Sequence, residues 1–120
     1  MNESIAAPDR KLGTRCCTPD TQTLDIATAQ VLANNMQILG HPIRLQLLEL
    51  LARSEGQVCV CDLESTVPVK QPTVSHHLRL LREAGLIDCE KHGLWVYYSI
   101  RRDAVSALRG RIVAQLGAFA

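Results

Sequence analysis

Residues 72–100 constrain the fold most, because two different hydrophobic periods follow one another within this short segment. Over 72–84, apolar side chains recur at helical spacing, which predicts an amphipathic helix that ends at Gly85. Two β-prone runs, 86–90 and 94–100, then flank the turn-forming Lys91-His92-Gly93 and predict a hairpin. The inward-facing positions of the helix are Val74, Leu78 and Leu81. The segment therefore predicts a helix followed directly by a β-hairpin.

Further helices surround this unit. The first covers about 23–39, and Gly40-His41-Pro42 ends it and begins the second, because proline suits a first helical turn. A short element begins near Val60 and ends before Pro68, and a last helix covers about 103–116. This order of elements predicts a mainly α fold with a β-hairpin, which is a winged helix-turn-helix.

The first and last helices carry apolar stripes but lack an obvious partner inside so small a core. We expect them to pack against a second copy of the chain, which gives a symmetric homodimer. The domain for DNA binding and dimerisation is expected to span residues 22–120. Residues 1–21 show no sustained periodicity and are expected to form a flexible N-terminal arm that carries a thiol pair.

Charge is distributed unevenly along the chain, although the net charge of its 120 residues is only +1. Residues 1–69 carry five basic and eight acidic side chains, whereas residues 70–102 carry six basic and three acidic ones. The basic stretch coincides with the predicted helix and hairpin. A surface that binds the phosphates of double-stranded DNA requires this coincidence.

The cysteines indicate metal or redox chemistry. No signal peptide opens the chain and no apolar run approaches a membrane span, which predicts a cytoplasmic protein without a membrane partner. Cytoplasmic thiols stay reduced, so a disulfide framework is not expected. Four of the five cysteines form two tight pairs, Cys16-Cys17 and Cys59-Val-Cys61. Paired thiolates select soft ions.

The spacing of Cys59 and Cys61 restricts the conformation in which both can bind one ion. Residues two apart on a regular helix point roughly 200° away from each other, whereas in an extended chain they point the same way. The segment must therefore be extended or lie at the very start of a helix. Val58 and Val60 favour the extended form.

Five motifs between about Ala29 and Ile100 resemble, in their order, the ArsR/SmtB family of metal-responsive repressors. They are Leu39-Gly-His-Pro-Ile-Arg-Leu-Gln-Leu-Leu48, the thiol segment Val58–Leu63, Gln71-Pro-Thr-Val-Ser-His-His-Leu78, Leu81-Arg-Glu-Ala-Gly-Leu86 and Gly93-Leu-Trp-Val-Tyr-Tyr98. The resemblance implies a homodimeric repressor that leaves its operator when an inducer binds. No thioredoxin-like Cys-x-x-Cys, Ser-His-Asp or paired-carboxylate arrangement is found, so an enzyme is not expected.

The N-terminal end of the helix over 72–84 is the predicted DNA-reading element. A helix fits the major groove, where side chains at its exposed N-terminal end reach base edges. The predicted DNA-binding residues are Lys70, Gln71, Thr73, Ser75, His76 and Arg79, with Lys91 and His92 added by the hairpin. His77 lies beside the apolar stripe and is predicted to be a hydrogen-bonded core histidine instead.

The thiol segment resembles the arsenite site of the family, with one departure. A third cysteine often follows three residues after the second in the family, and Glu64 occupies that position here. We therefore expect the arm to complete the site, in one subunit or across two. The predicted ligands are Cys16, Cys17, Cys59 and Cys61, and the predicted inducer is As(III) or Sb(III).

Several alternatives stay open at this point. A repressor responsive to Cd(II) or Pb(II) would use all four thiolates, as in the cadmium/lead branch of the family. A thiol redox switch and a metal-independent winged-helix regulator also fit, the latter if Cys59 and Cys61 are merely buried. Cys89 is predicted to be structural. The family's zinc site on the closing helix is expected to be missing, because residues 101–120 contain no histidine and Asp103 as the only acid.

Overall fold

The computed structural model describes residues 24–120 and confirms a mainly helical fold with a winged helix-turn-helix. Its elements are α1 Ile26–Leu39, α2 Pro42–Arg53, β1 Val58–Cys59, α3 Val60–Thr66, α4 Gln71–Glu83, β2 Ile87–His92, β3 Trp95–Ile100 and α5 Arg102–Phe119. The predicted arm, with Cys16 and Cys17, lies outside the described residues.

Local sequence signals set the helix boundaries. Helix α1 begins later than predicted because the Asp25 side chain accepts a hydrogen bond from the backbone N–H of Thr28. The His41 side chain likewise accepts from the N–H of Ile43 at the start of α2. Helix α3 has only seven residues, and its N-cap, Cys59, makes no side-chain capping hydrogen bond.

The sheet has three antiparallel strands in the order β1-β3-β2. The hairpin is longer than predicted, because His92 pairs with Trp95 and the turn falls at Gly93 and Leu94. Gly93 has a φ of +66°, a conformation that tight hairpin turns require and glycine adopts without strain. Strand β1 adds a short third strand on the other side of β3, where Cys59 pairs with Tyr97.

An aliphatic core holds α4 in place beneath the sheet and against α2. Val74, Leu78 and Leu81 are fully buried, which confirms the predicted inward stripe of α4. The other side chains of this core come from α2, α3, α5 and the segments around them, and they include Leu47, Leu51, Leu63, Val67, Leu86, Ile87 and Leu108. The opposite side of α4 is thereby turned outward.

Helix α1 and the outer part of α5 contribute little to this core. No residue of α1 is buried, and the buried residue of α5 is Leu108. Large apolar side chains are instead exposed along both helices, namely Ile26, Val31, Met36, Val113, Leu116 and Phe119. None of the helices within residues 24–120 is both long and apolar enough to cross a membrane.

Candidate DNA-binding surface and thiol site

The polar face of α4 is open to solvent along its first two turns. Gln71, Thr73, Ser75, His76 and Arg79 are all exposed, and Lys70 is exposed as the N-cap residue. Arg79 and His76 are held together, with Nη2 of arginine 3.1 Å from Nδ1 of histidine. This face therefore combines donors for base edges with a fixed positive group for phosphate.

His77 is buried behind this face, at 5% exposure, as predicted for a core histidine. Its Nδ1 accepts a hydrogen bond of 3.2 Å from Nε of Arg44. Nη1 of the same arginine donates to the carbonyl oxygen of Ile38, also at 3.2 Å. One side chain of α2 thus connects the end of α1 to the middle of α4. This role of Arg44 could not be predicted from the sequence, because its partner on α4 lies 33 residues away.

The surroundings of His77 disfavour its charged form. Burial lowers the pKa of His77, and electrostatic interactions with His41, Arg44 and His76 lower it further. The ring of His41 lies close to that of His77, with ring centroids 4.3 Å apart. A neutral imidazole at this position can accept the hydrogen bond from Arg44.

The hairpin, here called the wing (residues 87–100), carries the two other predicted DNA contacts. Lys91 and His92 are both exposed near its tip. Nε2 of His92 lies 3.1 Å from Oε1 of Glu90 and 3.2 Å from Oε1 of Gln57, a residue that precedes β1. Gln57 also donates through Nε2 to Glu90. These hydrogen bonds, first from Gln57 and then from His92, lower the pKa of Glu90.

The thiols of Cys59 and Cys61 meet where β1 passes into α3, and their sulfurs are 2.8 Å apart. The backbone of Cys59 is extended, with φ −66° and ψ 140°, and Cys61 lies in the first turn of the helix. The junction has the conformation that lets both thiols face one ion. Disulfide sulfurs are about 2.05 Å apart, and two thiolates on a tetrahedral ion are separated by about 3.8 Å. The two sulfurs are thus not bonded to each other, and they must move apart when one ion binds both.

The close approach of the two sulfurs disfavours loss of both protons. The hydrogen bond with Cys59 raises the pKa of Cys61, and desolvation and the charges of Cys59 and Asp62 raise it further. Two thiolates this close repel each other until a cation lies between them. Binding of a thiophilic ion therefore releases protons from this pair.

Within residues 24–120, no group of three or more His, Cys, Asp and Glu side chains is placed to hold a metal ion. Glu64 occupies the position of the family's third cysteine, and its charge contributes to raising the pKa of Tyr98, after larger effects of burial and Cys89. Oε2 of Glu64 is buried without a hydrogen-bond partner in the described part of the chain. Cys89 pairs with Tyr98 in the ladder of the wing and is half-buried.

Comparisons with known proteins agree on one family. The model for bacterial regulatory proteins of the arsR family matches residues 41–88. A putative arsenical resistance operon repressor of Halobacterium salinarum is 40% identical over 86 residues, 69% of each chain. A homologue of a cadmium resistance transcriptional regulatory protein from Staphylococcus aureus is 36% identical over 76 residues, 63% of this chain and 62% of that one.

A solved structure shows the same fold. The crystal structure of a possible transcriptional regulator for arsenical resistance superposes with a TM-score of 0.62 at 29% identity, covering 72% of this chain and 96% of that chain. The family match extends from the start of α2 into β2 and so includes the thiol junction and the exposed face of α4. The chain therefore belongs to the ArsR/SmtB family of winged helix-turn-helix transcriptional repressors, which are DNA-binding regulators and not enzymes.

Proposed function

We propose that this protein is a metalloid-responsive repressor that binds operator DNA as a homodimer and leaves it when As(III) or Sb(III) binds cysteine thiolates. The observation that carries the proposal is the pair of sulfurs 2.8 Å apart at the β1–α3 junction. This junction lies in the segment that leads into α4. An ion bound there can move the helix that reads DNA.

The DNA contacts of this repressor come from α4 and the wing. The exposed N-terminal end of α4 enters the major groove, where Gln71 can pair bidentately with adenine and Arg79 holds a phosphate. The remaining contacts are assigned to Lys70, Thr73, Ser75 and His76 on α4, and to Lys91 and His92 on the wing. The positive charges among these side chains supply the part of the affinity that does not depend on sequence.

The dimer forms through α1 and α5. Val31 is 59% exposed, Val113 62% and Phe119 70%, and these side chains lie on helices that contribute little to the core. A second copy that covers this apolar surface accounts for their exposure. Two-fold symmetry then presents two copies of α4 to two half-sites of an inverted repeat.

The inducer site needs sulfur from beyond the junction. Trivalent arsenic binds three thiolates in a pyramid, and Cys59 and Cys61 supply two. We assign the third to Cys16 or Cys17 in the N-terminal arm, residues 1–21, of the same or the other subunit. Glu64 is not assigned as a ligand, because soft ions select thiolates over carboxylates and Oε2 of Glu64 is buried.

A second candidate is a repressor released by Cd(II) or Pb(II). The similarity to a homologue of a cadmium resistance regulatory protein favours it. This version uses all four thiolates of Cys16, Cys17, Cys59 and Cys61. A pyramidal ion with a lone pair suits adjacent cysteines better than a tetrahedral one, which favours the metalloid over Cd(II).

The experiment that tests the proposal is fluorescence anisotropy of reduced, full-length protein on its own promoter DNA. Arsenite, antimonite, cadmium, lead and zinc are titrated in parallel. Release by near-stoichiometric arsenite and antimonite, with zinc inactive, supports the metalloid sensor. Release by cadmium or lead alone supports the four-thiolate version, and retention of DNA with every ion excludes metal sensing. In Cys59→Ser protein, DNA binding is expected to persist and release to be lost.

A further inference from the structure

We propose that Gln57 is a positioning residue that transmits inducer binding at the thiol junction to the wing. The inference rests on the proposed function, since it presumes that an ion binds Cys59 and Cys61. A conformational change at the thiol junction would then reach the DNA contacts in two ways. One passes along α3 to α4, and the other passes through the sheet to the wing. The polar side chains of Gln57, Glu90 and His92 are here called the wing cluster.

The wing cluster joins two parts of the chain that are far apart in sequence. Gln57 donates to Oε1 of Glu90, and its own Oε1 lies 3.2 Å from Nε2 of His92, residues that follow it by 33 and 35 positions. His92 completes the triangle with a distance of 3.1 Å to Glu90. A single side chain that precedes the thiol strand therefore contacts two side chains of the wing.

The strand register places these groups on one face of the sheet. Tyr97 pairs with Cys59 on one side and with Glu90 on the other, so these three residues form one row across the strands. Paired residues of neighbouring antiparallel strands project from the same face, and so do residues two apart in one strand. His92 and Trp95 therefore share the face on which Cys59 projects, and Gln57, just before β1, reaches this face through its contacts with Glu90 and His92.

Ion binding at the junction must disturb this row. The sulfurs of Cys59 and Cys61 are 2.8 Å apart. Two thiolates on one bound ion lie further apart, at about 3.8 Å on a tetrahedral ion and somewhat less on a pyramidal one. Opening this gap moves Cys59 in a strand of only two residues. Gln57 lies two residues before Cys59, so the displacement reaches Glu90 and His92 through the wing cluster. His92 is one of the side chains assigned to DNA.

The wing contains its own reporter. Trp95 is the only tryptophan in the chain and pairs with His92 in the ladder. Arsenite is added to full-length reduced protein without DNA, and Trp95 fluorescence is recorded together with the charge-transfer absorption of the arsenic–thiolate bond. The variants are wild type, Gln57→Met, Glu90→Gln and, as a matched control, Gln46→Met on the exposed side of α2. Inducer release of operator DNA is measured in parallel by anisotropy.

In wild type and Gln46→Met, fluorescence is expected to change in step with the absorption. In Gln57→Met and Glu90→Gln, the absorption should saturate at the same arsenite concentration while the fluorescence change is lost. The factor by which arsenite weakens DNA binding should fall about fivefold in both, with DNA affinity before arsenite unchanged.

Two results would overturn the inference. One is an undiminished fluorescence change and an unaltered release factor in Gln57→Met. The other is a loss of DNA affinity in Gln57→Met that is the same with and without arsenite. Gln57 would then stabilise the wing but would not transmit inducer binding. Absence of the charge-transfer absorption in wild type would contradict the proposed function itself and is thus distinguishable from both.

Discussion

The buried imidazole of His77 should make the folded protein less stable as the solution is acidified. Burial lowers the pKa of His77, and electrostatic interactions with His41, Arg44 and His76 add to the effect. A base whose pKa is lower in the folded than in the unfolded chain binds its proton more readily when the chain unfolds. The loss of stability therefore begins as the pH falls below the ordinary value of 6.5 and continues down to the folded-state pKa.

The size of this loss has an upper bound. If His77 stays neutral in the folded protein, lowering the pH from about 7.5 to about 5.5 removes at most about 1.4 kcal/mol of the free energy of unfolding per chain. His77→Gln removes the titrating group and keeps an oxygen that can accept from Arg44, so this variant should lose correspondingly less. The lowered pKa of Glu90 acts in the same direction, but only as the pH falls below its ordinary value of 4.5.

Urea denaturation followed by far-UV circular dichroism measures the effect at the two pH values. Protein concentration is held fixed, because dimerisation couples stability to concentration. Gln46→Met, on the exposed side of α2, removes no titratable group and is the control that should retain the wild-type pH dependence. An equal loss of stability in wild type and His77→Gln would refute the assignment of the effect to His77.

Three other predictions address the DNA surface, the wing and the dimer. Arg79→Ala should weaken operator and nonspecific DNA by similar factors and reduce the slope of log K against log salt by about one, and an unchanged slope would exclude a phosphate contact. Gly93→Ala should lower the free energy of unfolding by about 1 kcal/mol, because φ at this position is +66°. Gly56→Ala, at a position without a positive φ, should leave the free energy of unfolding nearly unchanged. Equal effects of the two substitutions in urea denaturation would contradict the assigned strain. Val113→Glu, at an apolar side chain 62% exposed, should yield monomers in analytical ultracentrifugation, and persistence of a wild-type dimer would place the interface elsewhere.

Helical periodicity made much of the fold predictable from the sequence. Val74, Leu78 and Leu81 specify the inward side of α4, and they are fully buried. Strand β1 was not predicted as a strand, because a segment of two residues is too short to show the alternation of apolar and polar side chains. It is a strand only because it pairs with β3, about forty residues later. The turn of the wing was placed too early, since β-propensity does not show where a ladder ends.

The candidate site, like the fold, was predictable from the sequence only in part. The requirement that Cys59 and Cys61 face one ion predicted a junction between extended chain and helix, and the two sulfurs meet at such a junction. Arg44 and Gln57 were not predicted, because their partners lie 33 or more residues away and are brought close only by the tertiary fold. The predicted involvement of Cys16 and Cys17 stays a prediction, since both lie outside the described residues.

Because α3 is short, little free energy is needed to change the conformation of the thiol junction. A helix of seven residues without a side-chain cap is marginal by itself, and it is retained by burial of Leu63 at its centre. Its first turn contains the exposed Cys61, and Val60 in this turn is only partly buried against the core. Backbone amides in this turn should exchange hydrogen faster than those of α2 and α4. Ligand sites can thus be gained, lost or exchanged at this junction during evolution while the DNA-binding scaffold remains stable.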